Sequence, residues 1–278
     1  MTETYTPATP IWCAGCGHFG VEGALRVALH ELDIPAHETF VLAGIGCSGT
    51  IQNNMGTYGY HALHGRVLPT ATGAALSDPR LTVVAAGGDG DGYAIGGGHL
   101  IHTFRRNPSM TYVLMNNAVY GLTKGQPSPT ANASGTVNDA PLDGILLGLS
   151  IPGSTFLARG FARWFDQLRE LTVAALRHAR SGKGFAFLEV LSPCVTYNDT
   201  YPSWEASIVD LDAEASYDPS DRAAAFTRCV TLADEGRIPV GMIYSGGPGP
   251  IISDPGPAHT PIRDLTAAYA EVMASYQV

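Results

Sequence analysis

Long apolar runs are missing from this sequence: no segment approaches the roughly 18 to 20 consecutive apolar residues that a membrane-spanning helix needs. Positive charge is scarce and scattered. Sixteen Lys and Arg stand against 25 Asp and Glu, for a formal charge of -9, and no basic cluster exceeds the pair Arg105-Arg106. Neither nucleic acid nor a membrane is therefore an expected partner. The first ten residues hold no Lys, no Arg and no apolar run, so no signal or transit peptide is readable and a cytoplasmic location is the default expectation. Five cysteines without an export signal argue against a disulfide framework and for metal binding, catalysis or burial. A second CxxC is absent, which excludes a zinc ribbon, and no internal repeat is visible.

What is present is enough hydrophobic material, 45% of 278 residues, for one large α/β domain or one domain with an appendage. Short apolar runs at 39–44, 81–86, 110–115 and 185–191, bounded by Gly, Pro or Asn, read as buried strands. Helices are expected between them at 17–31, 68–77, 94–106 and 160–181. This alternation predicts a doubly wound, mostly parallel sheet covered on both faces. Residues 126–160, rich in Pro, Ser, Gly and Asn, read as a functional loop or partner contact. Beyond Cys194 the pattern degrades to one helix at 221–235, one extended piece at 239–244 and a Pro/Gly-rich stretch ending near Pro261. The expected division is a cofactor domain over 1–200 and a C-terminal arm over 201–278 that packs on the domain or on a partner subunit.

The most informative segment begins where the second strand ends, at Gly87-Gly88-Asp89-Gly90-Asp91-Gly92, with Asn116-Asn117 following the next strand. Glycines at a strand's carboxyl end let backbone N–H groups approach phosphate oxygens, at the edge where open α/β sheets bind ligands. Asp89 and Asn117 on neighbouring strand ends offer two hard oxygens, and a carbonyl such as that of Val119 offers a third, a set that suits Mg²⁺. A glycine-rich turn without a ligand and a GxGxxG dinucleotide site are the rival readings. The latter would set acidic side chains against a pyrophosphate without a cation.

Cys13-Ala-Gly-Cys16-Gly-His18 is a CxxC turn at the start of an expected helix, able to place two thiolates on one metal. Cys47 follows the first strand and Cys194 the fourth, both at the edge just assigned to the diphosphate. Four converging thiolates would satisfy a [4Fe–4S] cluster. Cys229, in AFTRCVTL, reads as a buried structural cysteine.

The segments WCAGCGHFG, GIGCSG, LHGRVLPTATG, GGDGDGYAIGGGHLIHTFRRN and NNAVYGLTKGQPSPT, in this order over residues 11–200, resemble the β subunit of 2-oxoacid:ferredoxin oxidoreductases, a thiamine-diphosphate-binding chain. The family's usual CPGC turn is CAGC here, which loses a rigid residue but no ligand. The resemblance implies that Cys13, Cys16, Cys47 and Cys194 hold the cluster, and that Ile45, Gly46, Cys47, Ser48 and His64 line thiamine diphosphate. It implies that Gly90, Asp91, Gly121 and Leu122 contact its diphosphate or the metal region, and that Asp89, Asn117 and the Val119 carbonyl bind Mg²⁺. It also implies CoA-dependent oxidative decarboxylation with electrons leaving through the cluster to ferredoxin. The activating acid would sit on a companion α subunit, or a fused γα chain, so this chain would be inactive alone. Lys124 would meet the distal carboxylate of the substrate, which favours 2-oxoglutarate and its product succinyl-CoA.

Pyruvate, indolepyruvate or a broad range of 2-oxoacids is the alternative within this chemistry. A non-redox decarboxylase would leave the four cysteines without a use, and a purely electron-carrying iron–sulfur subunit would leave Asp89 and Asn117 unexplained. His99 and His102, at helical spacing i, i+3, read as structural; Arg66 could reach a phosphate or the partner chain. Trp12 and Trp204 flank the cysteine segments, where they could shield a cluster or simply pack.

Overall fold

The computed structural model describes residues 7–132, 139–249 and 252, together with positions 267, 270, 273 and 274. The first half runs α1 (His18–Glu31), β1 (Thr39–Ala43), α2 (Ile51–Asn54), β2 (Tyr58–His61), α3 (Val67–Ser77), β3 (Thr82–Gly88), α4 (Gly97–Arg106) and β4 (Thr111–Asn116). It continues β5 (Val119–Tyr120), β6 (Gln126–Pro127), α5 (Gly144–Leu149), β7 (Phe156–Phe161), α6 (Phe165–Arg180), β8 (Ala186–Leu191), α7 (Tyr201–Ser207), β9 (Ile208–Asp210), α8 (Arg222–Asp234) and β10 (Ile238–Ser245). Eight strands form one sheet in the order β2-β1-β3-β4-β8-β7-β10-β9. All of its pairings are parallel except β10 with β7.

Successive side chains of a strand point to opposite faces. Val41, Ala43, Val84, Ala86, Val113, Met115, Leu188 and Val190 accordingly join one core with Leu25 of α1 and Leu176 of α6. Their neighbours Leu42, Val83, Ala85, Tyr112, Leu114 and Phe187 join a second core with Leu68, Leu100, Phe104 and Ile145. A sheet covered on both faces favours near-continuous apolar runs, which is why these strands stand out in the sequence.

Three parts of the fold differ from the sequence reading. The stretch 126–160 is not all loop: it holds β6, α5 and most of β7, an inner strand between β8 and β10. Arg159 and Gly160 interrupt its apolar run. Arg159 is buried, and Nε donates to Glu189 of β8 at 2.6 Å while Nη2 donates to Asp143 at 2.8 Å. Asp143 in turn caps α5 by accepting from the amides of Ile145 and Leu146. With Gly160 in a strand, the following helix begins at Phe165 rather than at 160. The helix expected from 94 begins at Gly97, after a wide π-type turn over Gly90–Ile95. Finally, β9 and β10 extend the same sheet, and α8 sends Ala225, Cys229 and Leu232 into the second core. Up to residue 249 the expected arm is thus woven into the domain. The Pro/Gly-rich stretch that follows lies, apart from residue 252, outside the described residues, as do residues 133–138 of the loop.

Candidate active site

Strands β1, β3, β4 and β8 are adjacent and parallel, so the segments that follow them gather at one sheet edge. Asp89 stands directly after β3 and Asn117 directly after β4, with Gly88 in register with Met115. Both are buried. Ala118 turns the chain between Asn117 and Val119 at φ +55°, a left-handed conformation that a residue with a Cβ adopts only where its surroundings demand it. Asn117 Oδ1 accepts from the Val119 amide at 3.1 Å and keeps a second lone pair. Asp89 Oδ2 accepts from the hydroxyls of Ser128 and Thr130. Burial pushes the Asp89 carboxyl above its ordinary range, and these hydroxyls with nearby backbone amides pull it back only in part. A divalent cation would supply the positive charge that stabilises the ionised form, so the donor set of Asp89, Asn117 and the Val119 carbonyl fits Mg²⁺.

Asp91 turns elsewhere. Its Oδ1 accepts from the Ile45 amide at 3.0 Å, the Gly65 amide at 2.8 Å and His64 Nδ1 at 2.8 Å. One buried carboxylate therefore ties together the turns after β1 and β2. Gly44 has to be glycine for this, since a Cβ there would stand 2.0 Å from Asp91 Oδ2. With Nδ1 donating to Asp91, a neutral His64 ring presents Nε2 as an acceptor. Ile45 and Leu122 keep 36% and 64% of their surface exposed, leaving an apolar rim on the same shelf. Ser48 is buried beneath it, its hydroxyl 3.1 Å from where a Cβ on Gly88 would stand. The ring of Tyr120 covers Gly90, where a Cβ would stand 2.1 Å from it.

The four cysteines named from the sequence also meet here. A Cβ on Gly121 would stand 3.4 Å from Cys47 Sγ and 4.0 Å from Cys194 Sγ. Burial pushes the Cys16 thiol up to about 11, and the neighbouring sulfurs of Cys194, Cys47 and Cys13 push in the same direction. Burial likewise raises Cys47, reinforced by Cys194 and Cys13. Such thiolates repel one another until a cation separates them, as iron does in a cluster. Among the described residues no three His, Cys, Asp or Glu side chains are gathered closely enough to hold a single metal ion. A cubane, whose irons stand between the sulfurs, spans a wider gap than one tetrahedral ion. Trp12 flanks the group, donating from Nε1 to the Cys47 carbonyl at 2.7 Å and meeting His18 edge-on at 5.5 Å. Trp204 instead packs against the small core of Phe161, Leu191, Ile208 and Val240.

Lys124, one of two lysines in the chain, is exposed in the turn between β5 and β6 at φ +75°. His99 contacts Arg66, and His102 lies 3.2 Å from Arg105 Nη1; each histidine has an arginine rather than a metal ligand for a neighbour. Two cavities, about 680 Å³ beside Arg163 and Asp212 and about 520 Å³ beside Arg80 and Ser109, contain none of these site residues. Around the buried Asp89, Asp91 and Asn117, the side chains of Leu63, Ile95 and Leu122 are exposed.

Several contributors escaped the sequence reading. Ser128 and Thr130 hold Asp89. Thr130 also reaches Asn116 Oδ1 at 2.8 Å, and Asn116 Nδ2 donates to Glu189 at 2.9 Å, joining the site to the buried Arg159 pair. Ser192 Oγ lies 2.7 Å from His18 Nδ1, and Asn198 Nδ2 donates to the Asn117 carbonyl at 2.9 Å. The hydroxyls at 128 and 130, shortly after the Asn pair, were a readable signal; nothing in the sequence singled out residues 192 and 198.

The family model of the thiamine pyrophosphate enzymes' C-terminal TPP binding domain matches residues 44–190, and that of the C-terminal part of the pyruvate ferredoxin oxidoreductase beta subunit matches 194–251. The chain is 40% identical over 258 residues to 2-oxoacid:ferredoxin oxidoreductase 2, subunit beta, of Aeropyrum pernix, covering 86% of this chain and 81% of the relative. To the 2-oxoglutarate oxidoreductase subunit KorB of Mycobacterium tuberculosis it is 38% identical, over 68% of this chain and 51% of that one. Among solved structures, 2-oxoglutarate:ferredoxin oxidoreductase from Magnetococcus marinus, with 2-oxoglutarate, coenzyme A and succinyl-CoA bound, superposes with a TM-score of 0.80. The identity is 34%, and the match covers 97% of this chain and 89% of that chain.

Proposed function

Because the chain belongs to the β subunits of the 2-oxoacid:ferredoxin oxidoreductases, we propose that it provides the thiamine diphosphate site and the first electron acceptor of an enzyme that oxidatively decarboxylates 2-oxoglutarate. The supporting observation is the convergence, on one sheet edge, of Asp89 and Asn117 with the cysteine sulfurs that neighbour Gly121 and the CxxC turn. When bound, thiamine diphosphate supplies the carbanion chemistry that releases CO₂ from a 2-oxoacid, and a [4Fe–4S] cluster accepts electrons singly.

The chain's own residues have distinct parts in this. Asp89, Asn117 and the Val119 carbonyl would hold Mg²⁺ against the diphosphate, and Cys13, Cys16, Cys47 and Cys194 would hold the cluster. Asp91 fixes the positions of Ile45, Gly65 and His64, so the rim facing the cofactor is set before it arrives. Lys124, exposed at the mouth of the shelf, would pair with the second carboxylate of 2-oxoglutarate. The exposed Leu63, Leu122 and Ile95 support completion by an α chain, with coenzyme A as acyl acceptor and ferredoxin as electron acceptor.

The test is viologen reduction by the chain assembled anaerobically with its α partner, dependent on 2-oxoglutarate and coenzyme A. Turnover with 2-oxoglutarate and a lower kcat/KM for pyruvate is the expected result. The reverse preference would keep the chemistry and overturn the substrate.

A further inference from the structure

The segment that carries Cys194 touches the CxxC turn, the Lys124 turn and the turn after β4. Ser192 Oγ meets His18 Nδ1 at 2.7 Å, and the Pro193 carbonyl accepts from the Gly17 amide at 3.1 Å. Tyr201 Oη donates to the Gly15 carbonyl at 3.2 Å. Tyr197 packs on the turn that holds Lys124, its ring 3.3 Å from where a Cβ on Gly125 would stand. In the middle of the segment, the Asn198 amide donates to the Cys194 carbonyl at 2.9 Å, while its side-chain Nδ2 donates to the Asn117 carbonyl at 2.9 Å. Cys194 and Asn198 thereby close a small bridge on each other. Asn198 is the residue of this segment bonded both to a proposed cluster ligand and to a proposed Mg²⁺ ligand.

We propose that Asn198 is a positioning residue that couples the two halves of the site, so that a filled cluster holds the Asn117 turn in its metal-binding conformation. This rests on the functional reading above. Cys194, once bonded to iron, fixes the backbone of the 194–198 turn. The Asn198 side chain carries that restraint to the carbonyl of Asn117, whose own Oδ1 and whose neighbour Val119 are the proposed metal donors. One hydrogen bond of ordinary strength, about 1 kcal/mol, corresponds to roughly a fivefold change in affinity. By linkage, the metal site would stabilise the cluster turn to the same degree.

A thermodynamic cycle on the assembled α–β complex tests it. Affinity for Mn²⁺, a spectroscopic stand-in for Mg²⁺, is measured in the presence of thiamine diphosphate by the electron paramagnetic resonance of the free ion. It is measured with the cluster intact and after oxidative removal of iron, for wild type, Asn198→Ala and Asn198→Asp. Iron removal should weaken Mn²⁺ binding about fivefold in wild type and less than about twofold in either variant, while the variants retain their iron before stripping. Any direct electrostatic effect of the cluster charge is common to all three proteins and cancels in the comparison. Equal losses in wild type and in the variants would overturn the coupling role. Should Asn198→Ala fail to assemble, Asn198→Asp, which keeps the residue's shape and backbone bond but replaces the donor, completes the cycle. A wild-type complex without iron or thiamine would instead refute the functional reading, a result separate from any outcome at Asn198.

Discussion

At the scale of single residues, the site is built from ordinary groups held in demanding positions. Asp89 is a carboxylate made uncomfortable by burial, and Ala118 accepts a left-handed backbone so that Asn117 and Val119 flank it. Asp91 does not bind at the surface of the shelf with its side chain but anchors three N–H donors beneath it. Lys124 has the opposite character, exposed and with freedom to reach a ligand. Substituting it should therefore affect substrate choice and spare the fold. For Lys124→Ala, kcat/KM for 2-oxoglutarate should fall about 10- to 100-fold, the loss of one charge-assisted hydrogen bond, while kcat/KM for pyruvate changes by less than about threefold. Steady-state assays with both substrates decide this, and an unchanged value for 2-oxoglutarate would remove Lys124 from substrate recognition. The glycines, the Asn pair and the cysteines were legible because each is a residue type with few uses. Asn198 was not, because its role depends on a contact across 81 positions of sequence.

At the scale of elements, the strands that carry the site were visible and one of their neighbours was not. Strands β1, β3 and β4 are buried on both faces and appear as apolar runs, and β8 does so with one buried charge, Glu189, among five apolar residues. Strand β7 is equally buried, but Arg159 sits in its middle, neutralised by Glu189 on β8 and by Asp143 at the start of α5. A pattern of apolar residues cannot register a charge whose partners lie on other elements. A similar burial of a titratable group affects α6. His178 lies 2.9 Å from Thr155 Oγ1 and beside Phe156, and its pKa is lowered to about 4 by burial, with a contribution from Lys183. The folded protein thus keeps His178 neutral at a pH where the unfolded chain, with an ordinary histidine near 6.5, takes up a proton. Stability should fall as pH drops from about 6.5 toward 4, by at most roughly 1.4 kcal/mol per pH unit from this residue, and level off below. Urea unfolding of the assembled protein at several pH values should show a slope shallower by up to one proton in His178→Gln. Identical slopes would mean that His178 titrates normally in the fold.

At the scale of the whole molecule, the doubly wound sheet brings Asp89, Asn117, Cys47 and Cys194 to one edge, which the exposed Leu63, Ile95 and Leu122 flank. Residues 201–249, which looked like an arm, complete the sheet through β9 and β10. Strand β9 has only three residues, and Pro239 and Gly241 interrupt the apolar run of β10, which enters antiparallel to β7, so no pattern of residues marked them as a continuation of the same layer. The shelf with its exposed Leu63, Ile95 and Leu122 is the surface an α chain would cover. No helix among the described residues is long and apolar enough to cross a membrane. Everything proposed for this molecule depends on a single chain bringing a thiamine diphosphate site and an iron–sulfur site to one edge. That is best tested by the iron, sulfide and thiamine content of the complex purified anaerobically, for wild type and for Cys194→Ala. Wild type should hold about four irons, four sulfides and one thiamine per β chain, and the variant should lose most of its iron and keep its thiamine. A wild-type complex without thiamine, or a variant with its full iron content, would refute the shared edge.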